Sequence, residues 1–77
     1  MSHGIKNWTF KDVERFLIQH DFILDYVEGS HYFYILPSDS TISVCVPFHG
    51  NRSISPRTMK GIISQSKIDK SIWFSKK

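Results

Sequence analysis

The stretch Gly29-Ser30-His31-Tyr32-Phe33-Tyr34-Ile35 sets a turn directly against a strand-forming run. Gly29 reaches positive φ without steric cost, and Ser30 favours turns by bonding its own backbone. From Tyr32 to Ile35 every residue is aromatic or β-branched, the kind that fits a pleated surface. His31 is therefore expected at the start of a strand, near the rim of a sheet, with a rigid turn behind it. The flanking residues extend this hairpin into a meander. Residues 22–27 are apolar apart from Asp25. Residues 41–46 alternate, with Ile42, Val44 and Val46 facing one way and Thr41, Ser43 and Cys45 the other. Pro37-Ser38-Asp39-Ser40 is a second turn, and Pro47 closes the third strand. Connections this short join antiparallel neighbours.

Helices flank the meander. Thr9-Phe10-Lys11-Asp12 has the capping pattern of a threonine followed three residues later by an acid. Phe10, Val13, Phe16, Leu17 and His20 then recur at spacings of three and four, which predicts a helix over 10–20. Ser55-Pro56 is a good N-cap followed by proline at the first helical position, with Met59, Ile62 and Ile63 as the buried stripe. Asp69 is placed to cap a last short turn that folds Trp73 and Phe74 back on the body, and Trp8 and Trp73 read as packing anchors. The order predicts a two-layer α+β domain, α-β-β-β-α, with the helices on one face of a three-stranded antiparallel sheet. The double-stranded-RNA-binding domain has this order. The whole of residues 1–77 is read as one domain, with a loose opening over residues 1–6 and a short C-terminal extension over residues 68–77.

At 77 residues the chain buries roughly 60–65% of the surface its unfolded form exposes, enough for a single core of modest stability. The lone Cys45 excludes an intrachain disulfide framework and fits a reducing compartment. No run approaches membrane-span length and no basic-then-apolar leader opens the chain, so a soluble, cytoplasmic protein with no membrane association is the expectation. Charge is unevenly distributed. Residues 1–49 carry three Lys or Arg against six Asp or Glu, a net of −3, and residues 50–77 carry seven against Asp69, a net of +6. A basic side able to meet phosphate and an acidic side follow from that split.

Four pieces of the chain, in order, resemble the HicA-type toxins of HicA–HicB toxin–antitoxin pairs. They are the leading helix ending before Asp21-Phe22, the Gly29-Ser30-His31 turn, the loop Val46-Pro47-Phe48-His49-Gly50-Asn51, and Ile54-Ser55-Pro56-Arg57-Thr58 opening a helix with Ile62-Ile63. The resemblance implies a fold similar to the double-stranded-RNA-binding domain, cleavage of messenger RNA without a metal or other cofactor, arrest of translation, and a HicB-type antitoxin that covers the His31 rim. The catalytic histidine of the family falls on His31, with Gly29 and Ser30 positioning it. Where the family often carries basic residues, this chain has Tyr26-Val27-Glu28 before the turn and Phe33-Tyr34-Ile35-Leu36 after it. A carboxylate there would repel a phosphodiester.

Such cleavage needs a base for the ribose 2′-hydroxyl, an acid for the leaving oxygen, and a cation for the phosphate. Histidine suits the first two roles because its unperturbed pKa of about 6.5 lies near working pH. Taken on the residues alone, a strand-end His31 more often just hydrogen-bonds; the resemblance reverses that order. His49 could complement His31 in proton transfer or bind phosphate, although bracing its loop beside Gly50 is the preferred reading. Arg57, Lys60 and Lys67 form a row with Ser64 on one helix face and are read as phosphate contacts, against the plainer reading of a solvated surface. Tyr32 and Tyr34 share one strand face, as core or antitoxin contact ahead of base stacking, while His31 and Phe33 share the other. No metal-ligand spacing, nucleotide-binding glycine loop or serine–histidine–acid arrangement is present. The competing class is a non-catalytic RNA-binding module that uses the same basic face.

Overall fold

The computed structural model describes residues 7–75. The loose opening expected over residues 1–6 lies outside them, as do Lys76 and Lys77 of the basic half. The observed order is α1 (Phe10–Gln19), β1 (Ile23–Glu28), β2 (His31–Leu36), β3 (Asp39–Pro47), α2 (Pro56–Ser66) and α3 (Lys70–Phe74). The three strands form one antiparallel sheet in the order β1-β2-β3. This is the expected α-β-β-β-α layout with an added terminal turn. Among the described residues, no helix is long and apolar enough to cross a membrane.

Local signals set the helix starts. Thr9 closes a capping box on α1: its hydroxyl accepts from the Asp12 amide at 3.3 Å, and its own amide donates to Asp12 Oδ2 at 2.9 Å. Ser55 caps α2 by accepting from the Thr58 amide at 3.2 Å, and Asp69 caps α3 by accepting from the Ser71 amide at 2.9 Å. After α1 the chain reverses through Asp21 at φ 72° and drops Phe22 into the core. Phe22 therefore precedes the first strand, which runs 23–28 where 22–27 was expected.

The third strand is longer than the expected 41–46. It starts at Asp39, so the preceding turn shrinks to Pro37-Ser38, and Asp39 Oδ1 holds the Thr41 amide and hydroxyl at 3.2 and 2.6 Å. Pro47 is its last residue and pairs with His31. Proline is tolerated there because β3 is an edge strand whose outer side needs no ladder donor.

Register explains where the core lies. Tyr32 and Tyr34 stand opposite Val46 and Val44, and this row faces the core with Tyr34, Val44 and Val46 fully buried. Burial takes Tyr34 out of base stacking, and Tyr32 packs against the core while remaining partly exposed. The core continues through Trp8, Val13, Leu17, Met59 and Ile62. Phe16 stacks on Trp73 with ring centroids 3.8 Å apart, and Trp8 meets Trp73 edge-on at 5.3 Å. Ser66 is the buried polar residue of this core, and its hydroxyl is fully used. It donates to the Ile63 carbonyl at 2.7 Å and accepts from Ile68 N and Trp73 Nε1 at 3.1 and 3.2 Å. That hydroxyl ties α3 to the end of α2.

Candidate active site

Gly29 and Ser30 form a two-residue loop between Glu28 and His31, which pair across β1 and β2. Gly29 has φ 62°, and positive φ at the first loop position is what a type II′ hairpin turn demands. A Cβ at Gly29 would meet nothing within 4 Å, so glycine is favoured there by backbone conformation alone. The turn is also clamped from the far side of the sheet. The Phe48 amide donates to the Ser30 carbonyl at 2.7 Å, and the Phe48 ring packs edge-on against Phe10 at 5.0 Å. The loop after β3 is thus fastened to the turn before β2, which fixes His31 and His49 relative to each other.

Both histidines are exposed and line one open cleft of about 410 Å³, whose other walls include Cys45, Thr58 and Gln65. His31 comes from the start of β2, His49 from the loop after β3, and Thr58 and Gln65 from α2. Gln65 Oε1 accepts the Cys45 amide at 3.0 Å, so α2 is held along the outer edge of β3 and closes one side of the cleft. Burial pushes the Cys45 thiol up, which keeps it protonated and makes it a poor nucleophile. Among the described residues, the His31 imidazole makes no hydrogen bond. His49 likewise engages its loop through the backbone, its carbonyl accepting from the Arg52 amide at 3.2 Å. Among the described residues the His49 side chain makes no hydrogen bond to its loop, whose course follows Gly50 at φ 63° and that backbone bond.

A second, smaller hollow of about 240 Å³ adjoins the first, sharing Pro47, His49 and Thr58 with it and adding Arg52 and Ser55. Arg52 thereby stands beside His49 at the N-terminal end of α2. In the sequence Arg52 enters only the charge balance, and neither Thr58 nor Gln65 stands out as a site residue. A cation three residues ahead of the Ser55 cap was the available signal for Arg52; Gln65 shares its helix face with Thr58, seven residues earlier, but only docking shows where that face points.

The row of Arg57, Lys60 and Lys67 lies elsewhere. None of the three lines either hollow. Lys60 and Lys67 line a separate groove with Ser64, Asp69 and Lys70. The reason is helical geometry: positions 58, 61 and 65 turn to β3, which puts 57, 60 and 64 on another side. Lys67 is also no longer helical. It is the C-cap of α2 in the left-handed region, φ 64°. Among the described residues, no cluster of three or more His, Cys, Asp or Glu is arranged to hold a metal ion.

A family model described as the HicA toxin of bacterial toxin–antitoxin systems matches residues 10–68, from the first residue of α1 to just past α2. No curated protein and no solved structure matches the chain.

Proposed function

The chain belongs to the HicA family of bacterial toxin–antitoxin toxins, and from that premise we propose that it is an endoribonuclease that cuts messenger RNA without a metal, with His31 in proton transfer. The observation that carries the reading is that His31 and His49, from separate elements, line a single cleft. One histidine takes the proton of a ribose 2′-hydroxyl as its oxygen attacks the neighbouring phosphorus. The other gives a proton to the departing 5′-oxygen, leaving a cyclic phosphate and a free 5′-hydroxyl. His31 is the residue the family assigns, and His49 becomes its partner here because it shares the cleft.

Arg52, beside His49, is the cation placed to hold the attacked phosphate, helped by the positive end of the α2 dipole. Arg57, Lys60 and Lys67 take phosphates farther along the strand, where attraction is weaker. Substrate enters from the α2 side, because Glu28 stands directly across from His31 on the β1 side and repels phosphate. A family of this kind implies an antitoxin partner; covering the His31 rim with a HicB-type protein would silence the cleft while the toxin stays folded.

The test is cleavage of mixed-sequence RNA in EDTA by purified wild type and His31→Ala. Wild type should cut, and the variant should lose about 10²- to 10⁴-fold in rate while keeping its fold. Undiminished cutting by a folded His31→Ala protein would overturn the reading. RNA bound but uncut by the wild type would make the chain a binding module.

A further inference from the structure

Strand β1 is exposed at all six of its residues, four of them large and apolar: Ile23 at 51%, Leu24 at 46%, Tyr26 at 50% and Val27 at 44%. Among the described residues it pairs only with β2, and none of them pairs with the backbone donors and acceptors of its other edge. The register divides the apolar side chains between both faces of the sheet. Leu24 and Val27 share a face with Tyr34 and Tyr32; Ile23, Tyr26 and Glu28 share the opposite face with Ile35, Phe33 and His31. The outer row is ordered, with the Tyr26 and Phe33 rings stacked 4.4 Å apart and within 6° of parallel. A helix or loop laid on the sheet would cover one of these faces. A strand added at the edge would lie beside both.

Charge narrows what that strand can be. Asp21, Asp25 and Glu28 stand at or beside β1, and residues 16–51 contain no Lys or Arg. A second copy pairing β1 against β1 would set these acids together with no cation to relieve them. Asp25 also breaks the register between Leu24 and Tyr26, a bulge of the kind that protects edges from indiscriminate pairing. RNA meets the same anionic edge unfavourably. A basic polypeptide does not.

We propose that the free edge of β1 accepts an extended segment of a partner protein as a fourth strand, one that alternates apolar residues with Lys or Arg placed to meet Asp25 and Glu28. Backbone bonds along the edge supply affinity; apolar residues of the added strand meet Leu24 and Val27 on one face while its cations meet Glu28 on the other, and that pairing supplies selectivity. The inference shares Glu28 with the catalytic reading, where that residue only repels phosphate, and it rests on no property of His31 or His49.

The full-length protein, labelled for amide NMR, would be titrated with a short synthetic peptide alternating valine and lysine, and with its valine–glutamate counterpart. The valine–lysine peptide should shift amides concentrated in residues 23–28, with affinity falling roughly tenfold from low to high salt. The glutamate peptide should leave those amides in place. The double variant Asp25→Lys, Glu28→Lys should exchange the preference; if it does not fold, the salt series on the wild type decides. Equal response to both peptides, shifts centred outside β1, β1-mediated dimerisation without peptide, or single-stranded RNA shifting the same amides would each overturn the proposal.

Discussion

The Tyr34 phenol is buried and donates to Glu14 Oε2 at 2.6 Å, joining β2 to α1. Burial foremost, then that bond and the Glu14 charge, hold its pKa well above the ordinary tyrosine range. As pH climbs past about 10, the unfolded chain gives up this proton while the folded protein keeps it. Folding stability should therefore be complete below that point and fall above it, by up to about 1.4 kcal/mol per pH unit. Urea titrations at increasing alkalinity should show this slope in the wild type and a flatter one in Tyr34→Phe; equal slopes would refute it. That Tyr34 shares a strand face with Tyr32 was readable from alternation, with core and antitoxin contact both left open. Its bond to Glu14 was not, since the two residues lie 20 apart in sequence and meet only when α1 docks on the sheet.

The helix α2 acts through three sides: Met59 and Ile62 in the core, Thr58 and Gln65 toward β3, and Lys60 at a separate groove. The cap at Ser55 and the buried stripe were readable because they depend on near neighbours in the chain. Which polar side would face the histidines was not, because the Gln65 bond to Cys45 at the β3 edge sets the rotation of the helix. The same dependence on long-range docking hid the exposure of β1, whose sequence reads as an ordinary half-buried strand. The consequence for RNA handling is a ranking of cations. Arg52→Glu should lower kcat/KM roughly a hundredfold, the scale of losing one charge-assisted contact to phosphate. Lys60→Glu with Lys67→Glu should lower it only a few-fold through distant attraction. Cleavage assays at fixed ionic strength would measure both, and the reverse ranking would move phosphate binding to the far groove.

Taken whole, the molecule is closed by its C-terminal turn. Trp73 is fully buried, stacks on Phe16, meets Trp8, and bonds Ser66, so it ties α3 to α1 and α2 at once. Trp73→Ala should cost about 3–5 kcal/mol, against a total of roughly 5–10 for a domain of this size. Urea unfolding should show that loss, and a change under about 1 kcal/mol would mean the turn is an appendage. On this framework the Ser30–Phe48 clamp holds two histidines at one cleft, and the proposed chemistry makes them an acid–base pair. The pH dependence of kcat/KM for RNA cleavage, in wild type and His49→Ala, tests it most directly. An acid–base pair gives a bell-shaped profile that loses one limb in the variant, with a markedly lower maximum. A profile of unchanged shape and height in His49→Ala would contradict it and leave His31 to act without that partner.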